Sequence, residues 1–477
     1  MAAERRRLSF SVVCDALARQ PQETGRSRKA VRGARMKLNA PLLKSTMVAA
    51  LGGLLFGFDT AVISGTTSSL TASYHLSPGL LGATVASALW GTIVGALLAG
   101  VLGERYGRRD SLRMMAVLYL ISAFGCAAAW SWYALVGFRL LAGLGIGGSS
   151  VLGPMYIAEI APAKIRGRLV GFFQFNVVLG ILLAYFSNAM IGLGHFGLSE
   201  WRWELGATAI PAALFFLMLF AIPRSPRWLV KRNRLAEARA VLEITGEENV
   251  EQQLREIVQS IQVEQEQAGE RLFSRRYRFP IFLAVSIGMF NQLSGINAIL
   301  YYLNDIFVHA GFSKLSGNLQ AVAVGGTNLL FTVLAMAVID RLGRKRMLLI
   351  GALGTALCLA GVSAIFFAGR HQNFLLWLLI GFIGFFAFSQ GAVIWVYLSE
   401  VFPNNVRAKG QSLGSFSHWF MNALISGVFP LMAASSGGYP FAFFSAMMVL
   451  EFVVVWAVYP ETKGLSLEEM QTKLGIG

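Results

Sequence analysis

About twelve stretches of roughly 20 apolar residues follow one another along the chain, and no other feature restricts its fold so strongly. They run near 43–66, 80–102, 112–132, 134–158, 168–191, 203–223, 279–303, 318–339, 346–368, 374–398, 411–434 and 439–459. A helix is the form in which such a stretch pairs its own backbone groups in hydrocarbon. The spacing therefore predicts an all-α membrane protein. Composition agrees: 14% of residues are charged, against about 25% in soluble proteins. The 477 residues suit one large bundle. The 51 glycines suit helices that approach closely.

A net charge of +16 raises the question of nucleic acid. The charges argue against it, because they sit in short clusters between apolar runs and leave no folded basic domain. GERYGRRDSLR (103–113), AKIRGR (163–168), the 224–278 segment, DRLGRKR (340–346) and NNVRAK (404–409) are basic, whereas TTSSLTASYHLSPG (66–79) has no Lys or Arg. The positive-inside rule then puts both termini in the cytoplasm. Residues 1–42 read as a basic cytoplasmic tail without a signal peptide. A start at Met36 is the alternative. Cys14, Cys126 and Cys358 suggest neither a disulfide framework nor a metal site. The absence of an Asn-x-Ser/Thr sequon favours a bacterial inner membrane. RLAEARAVLEI (234–244) and VEQQLREIVQSIQVEQEQ (250–267) carry charge at helical spacing and predict amphipathic helices in a cytoplasmic linker; a merely solvated connection is the competing reading.

An internal repeat sets the plan. Tyr156-x-x-Glu159-x-x-Pro162-x-x-x-Arg166 recurs as Tyr397-x-x-Glu400-x-x-Pro403-x-x-x-Arg407, at an offset of 241. Arg105-x-Gly107-Arg108-Arg109 recurs as Arg341-x-Gly343-Arg344-Lys345, at 236. Two copies of six spans are expected, 43–223 and 279–460, joined by the 224–278 linker and followed by a cytoplasmic tail at 461–477.

GERYGRR (103–109), PMYIAEIAPAKIRGRLVG (154–171), FNQLSGINAILYY (290–302), DRLGRKR, SEVFPNNVRAKG (399–410) and PETKG (460–464) resemble the sugar porter family of the major facilitator superfamily, over about residues 43–465. The resemblance implies a twelve-helix carrier in two pseudo-repeats, with alternating access, a monosaccharide substrate and no cofactor. A monomer in the lipid bilayer is expected.

The charge clusters are expected to form a cytoplasmic gate: Glu104, Arg105, Arg108, Arg109, Glu159, Arg166 and Arg227 in one half, Asp340, Arg341, Arg344, Glu400 and Arg407 in the other. Ion pairs there can latch the outward-open state; simple anchoring of loops is the alternative. The family's Pro-Glu-Ser-Pro-Arg after span six is PRSPR here, with Arg224 in place of the acid.

A neutral polyol needs groups that donate and accept, which amides supply, and an aromatic face for its C–H surface. Span seven offers Asn291, Gln292, Asn297 and Tyr301. Gln292 and Asn297, five apart, would diverge by about 140° on an ideal helix. They can face one ligand only across a break, for which Ser294-Gly295 is the candidate. By resemblance, Gln174, Gln292, Asn297, Tyr301, Asn328, Trp395, Trp419 and Asn422 fall on sugar-contacting positions. Asn291 and His418 depart from the family's usual amides, and His418 could add pH dependence near neutrality.

LLFGFDTAVISG (54–65) places one acid, Asp59, inside span one. Ionisable residues within spans tend to mark function. Arg139, the basic residue inside span four, is the expected partner, with both about 10 Å below the outer surface. Proton-coupled members of the family have this Asp and Arg, whereas facilitative glucose carriers commonly have Asn at the first position. Proton symport is thus expected, with the proton as coupling ion. A static salt bridge, a passive uniporter, a non-transporting sugar sensor and a multidrug antiporter are the alternatives. No catalytic centre is evident, so no enzyme is expected.

Overall fold

The computed structural model describes residues 39–162, 165–194, 196–247, 249–266, 271–403, 405–465 and 467–476. The tail before Asn39, with Cys14 and Met36, lies outside them, as does His195. No strand occurs among the described residues.

The first half comprises α1 Ala40–Tyr74, α2 Pro78–Tyr106, α3 Arg108–Ala127, α4 Trp132–Ile160, α5 Arg166–Gly192, α6 Glu200–Ala207 and α7 Ala209–Met218. Asn39, Ser77 and Ser131 cap α1, α2 and α4 by accepting from the backbone N–H groups of Leu42, Leu80 and Ala134. Next come α8 Pro226–Lys231, α9 Leu235–Ile244 and α10 Val250–Glu266. Their apolar faces meet in a small core of their own, including Trp228, Leu229, Leu242, Leu254 and Ile261. The second half contains α11 Arg278–Leu293, α12 Ile296–Tyr301, α13 Leu303–His309, α14 Lys314–Leu342, α15 Arg344–Ala368, α16 Leu375–Phe388, α17 Gln390–Glu400, α18 Arg407–Ser435, α19 Tyr439–Val458 and α20 Leu467–Lys473.

Among the described residues, 11 helical runs are long and apolar enough to cross a membrane. The expected span at 411–434 is not among them. Its helix, α18, has 29 residues but buries Ser417, His418, Asn422 and Ser426, and this polar stripe lowers its hydropathy.

The loop expected from residue 66 is instead the end of α1, which continues to Tyr74. Thr66 and Thr67 return their hydroxyls to the carbonyls of Ile63 and Ser64 at 2.8 and 3.2 Å. The helix thereby satisfies its own polar side chains. Asp59 is consequently near the middle of a 35-residue helix and not close to its end.

Glycine sets how closely the helices approach. An ideal Cβ on Gly57 would fall 1.8 Å from the Val177 carbonyl oxygen of α5, and one on Gly143 would fall 1.9 Å from that of Ala88 on α2. Between the halves, a Cβ on Gly82 would fall 2.0 Å from the Gly427 oxygen.

The two halves are joined at one pole. A single apolar core there includes Phe58, Leu76 and Trp201 of the first half with Ile299, Phe307 and Phe382 of the second. At the arginine-rich pole the core divides. Leu112, Tyr156 and Phe215 belong to one cluster, Leu283, Tyr397 and Tyr459 to another. A crevice of about 610 Å³ opens at that pole, between Leu97 of α2 and Lys409, Ser412 and Phe416 of α18.

Candidate functional site

Asp59 and Arg139 meet in the middle of the first half. Arg139 Nη2 stands 3.5 Å from Asp59 Oδ2, with the two residues 3% and 6% exposed. Arg139 Nε has no hydrogen-bond partner among the described residues. The pair borders a cavity of about 10 Å³ lined also by Phe56, Thr60, Tyr301 and Trp419. That is room for about one water. The cavity therefore joins the titratable pair of the first half to an aromatic and a phenol of the second.

Span seven is broken between Gln292 and Asn297. α11 stops at Leu293, Gly295 takes φ 80°, and α12 restarts at Ile296. The left-handed φ is open to glycine with little strain. Asn297 can then turn back to donate its Nδ2 to Gln292 Oε1 at 3.0 Å. Gln292 Nε2 in turn donates to Asn291 Oδ1 at 3.1 Å and lies 3.3 Å from the ring nitrogens of His418. His418 is flanked by Trp395 and Trp419, ring centroids 5.3 and 5.2 Å away. Phe56 of α1 lies 5.3 Å from Trp419 across the halves. Asn422 donates to the Tyr301 hydroxyl at 3.3 Å.

Eight of the ten expected sugar residues thus form one connected surface. Gln174 and Asn328 are not joined to it by a side-chain hydrogen bond between described residues. They stand on α5 and α14, which pack together, and neither hydrogen-bonds to a described residue.

At the arginine-rich pole, Arg108 pairs with Glu104 and Glu159, each at 2.9 Å. Arg109 reaches Asp110 at 3.1 Å and the Ile222 carbonyl at 3.2 Å. Arg166 donates to the Ala161 carbonyl at 3.5 Å and not to Glu159. The Arg105 carbonyl accepts from Arg232, and Arg227 acts on Glu159 through charge. In the second half, Arg344 grips Glu400 with two nitrogens, at 2.8 and 3.2 Å, and Asp340 at 3.2 Å. Arg407 donates to the Phe402 carbonyl at 3.4 Å, and the Arg341 carbonyl accepts from Lys463 at 2.6 Å.

A third repeat element escaped the sequence reading. Ser225 donates to Glu159 as Thr462 does to Glu400, and Tyr156 and Tyr397 donate to the carbonyls of Pro223 and Pro460. The signal was Pro-x-Ser/Thr at 223–225 and 460–462. Glu461 then caps α15 by accepting from the N–H groups of Arg344 and Lys345. Arg224, in the corresponding place, instead pairs with Asp110 at 2.9 Å. The residues at 467–476 are docked on the second half, with Met470, Leu474 and Ile476 in its core.

Among the described residues, no group of His, Cys, Asp and Glu is arranged to hold a metal ion. Three buried acids were also missed, Glu200 and Glu204 on α6 and Glu451 on α19, the last accepting from Gln390.

The family described as "Sugar (and other) transporter" matches residues 45–474. The D-xylose-proton symporter of Escherichia coli K12 is 38% identical over 467 residues, covering 89% of this chain and 94% of that protein. The arabinose-proton symporter of Bacillus subtilis is 37% identical over 89% of this chain and 93% of its own length. The glucose facilitated diffusion protein of Zymomonas mobilis is 35% identical, over 89% and 96%. Among solved structures, the partially occluded inward-open xylose transporter XylE from E. coli superposes with a TM-score of 0.81, at 36% identity over 90% of this chain and 100% of that one. XylE bound to 6-bromo-6-deoxy-D-glucose gives 0.77, at 36% identity over 92% and 100%.

Proposed function

The chain belongs to the sugar porter family of the major facilitator superfamily, and from that premise we propose that it imports a monosaccharide by proton symport with alternating access. It is a multi-pass membrane transporter and not an enzyme. The observation that carries the proposal is the shared cavity: Asp59 and Arg139 open onto the same small space as Tyr301 and Trp419. Proton and sugar can therefore influence each other without a long relay.

Twelve spans are assigned in two halves of six, with α18 as the eleventh. Its polar stripe faces the sugar. The arginine-rich pole is assigned to the cytoplasm on the positive-inside rule, with both termini there, in a bacterial inner membrane. On that orientation the structure is inward-facing, since the core is sealed at the outer pole and divided at the inner one.

The cycle runs as follows. Outside, a proton on Asp59 releases Arg139 and lets the site close on sugar. The amide group of Gln292, Asn291 and Asn297 binds ring hydroxyls, while Trp395 and Trp419 cover the C–H face. Inside, the sugar leaves first, Asp59 loses its proton and the pair with Arg139 re-forms. One proton falling through 100 mV supplies about 2.3 kcal/mol, or roughly 50-fold accumulation. The clusters around Arg108 and Arg344 are assigned to the cytoplasmic gate.

The test is an uptake panel in proteoliposomes. Xylose, arabinose, glucose, galactose and myo-inositol are offered with and without an inward proton gradient. One of these sugars should accumulate only with the gradient, and a protonophore should abolish the accumulation. Equal uptake in both conditions would make the protein a passive carrier. Binding without uptake would favour a sensor.

A further inference from the structure

A further buried carboxyl sits beside the sealed outer seam, and the cycle above does not use it. Glu204 on α6 is 0% exposed, and neither carboxyl oxygen has a hydrogen-bond partner among the described residues. α6 is pressed on α1 at Gly65, where an ideal Cβ would stand 2.5 Å from both Glu204 Oε1 and Asn188 Nδ2. Asn188 donates to the Val62 carbonyl at 3.1 Å, and its own Oδ1 is unpaired.

The charges acting on Glu204 are Lys314 and Glu200. Lys314, from the second half, is held 3.0 Å from Glu200 and donates to Ser69 Oγ at 3.1 Å. That engagement makes it a bolt between halves and leaves Glu204 without a direct cation. Asn318 adds a second tie, to the Asn188 carbonyl at 3.4 Å. The other groups nearby do not neutralise Glu204. Arg202, on the same helix, turns to the Ala127 carbonyl at 2.8 Å at the end of α3. From α1, Tyr74 packs on Trp201. α5 brings the neutral Asn188. Asp305 on α13 adds a further acid near Lys314.

A carboxylate enclosed without donors is strongly disfavoured. A proton removes the charge, and the new O–H can donate to the unpaired Asn188 Oδ1. We propose that Glu204 is a second proton-binding site, distinct from Asp59, which must be protonated before the outer seam can seal. Opening outward admits water and lets Glu204 ionise. Acid outside thus favours the sealed state, and alkali holds the seam open. One linked proton changes the sealed-to-open ratio by up to about tenfold per pH unit. The inference takes its two states from the transporter reading but does not depend on Asp59.

The test uses a cysteine at Ala321, buried in the outer core on α14. The full chain in right-side-out vesicles is labelled from outside with an impermeant maleimide, and labelling of the chain without this cysteine is subtracted. Because the maleimide attacks the thiolate, each labelling rate is divided by that of the same cysteine in the denatured chain at the same pH, and this ratio should rise several-fold from pH 5.5 to 8. It should rise equally in an Asp59→Asn background, and it should be low and flat with Glu204→Gln in either background. Sugar counterflow by Glu204→Gln shows that the variant folds. If counterflow is lost, Glu204→Asp takes its place, and its labelling curve should move along the pH axis. A Glu204→Gln curve that rises like the parent's, or an unmoved Glu204→Asp curve, overturns the proposal. Loss of the rise in Asp59→Asn alone assigns the pH dependence to Asp59 and overturns it as well.

Discussion

His418 accepts a hydrogen bond in this structure, because Gln292 brings an N–H to within 3.3 Å of its ring nitrogens. Replacing it by Phe leaves that buried amide short of an acceptor. An unmet buried donor costs about 1–3 kcal/mol, so sugar affinity should fall by about tenfold or more. His418→Asn restores an acceptor and should recover most of the loss. Equilibrium sugar binding to the two variants checks this; equal affinities would remove His418 from the site. Arg224 makes a second residue-scale case. With Asp110 it holds the place where the second half has Glu461 and the start of α15. Arg224→Glu should lower the melting temperature in detergent, and adding Asp110→Arg should restore part of it. Both side chains are partly exposed, so the coupling should be about 1 kcal/mol or less. A double variant no better than the single would show that the pair contributes nothing.

The break in span seven is the element that assembles the proposed sugar surface. Gly295 takes φ 80°, and a Cβ there would meet the Phe444 ring at 2.2 Å. Gly295→Ala should therefore weaken sugar binding and lower stability by about 1–3 kcal/mol, read by binding and thermal melting. Unchanged values for both would mean that the break is not needed. This element was legible in the sequence, since Gln292 and Asn297 can converge only across an interruption. The Asp59–Arg139 pair was legible too, as one acid and one base inside apolar runs. The end of α1 was not. A run such as TTSSLTASY reads as a loop until Thr66 and Thr67 are seen returning their hydroxyls to their own helix. Nor was the partner of Arg224, because Asp110 is 114 residues away. Glu204 escaped notice because an acid near the end of an apolar run reads as a solvated residue, whereas Glu451 lies well inside its run, where the argument applied to Asp59 should have marked it.

In the whole molecule, each half carries its own Arg–Glu network at the arginine-rich pole, while the polar ties between halves through Lys314 and Asn318 lie at the opposite one. Such a division suits two bodies rocking about a central site. Removing one network should loosen one half and leave the other intact. Glu400→Gln strips Arg344 of its main counter-charge, and stability should fall by about 1–3 kcal/mol. Melting followed in detergent checks this, and no change would count against a structural role for the cluster. The account as a whole depends on Asp59 exchanging a proton as the central cavity faces alternate sides. The most direct measurement is sugar transport by Asp59→Asn in proteoliposomes with an imposed proton gradient. Counterflow should persist while accumulation disappears. Accumulation at the parent's level would contradict the assignment and place the coupling elsewhere in the bundle.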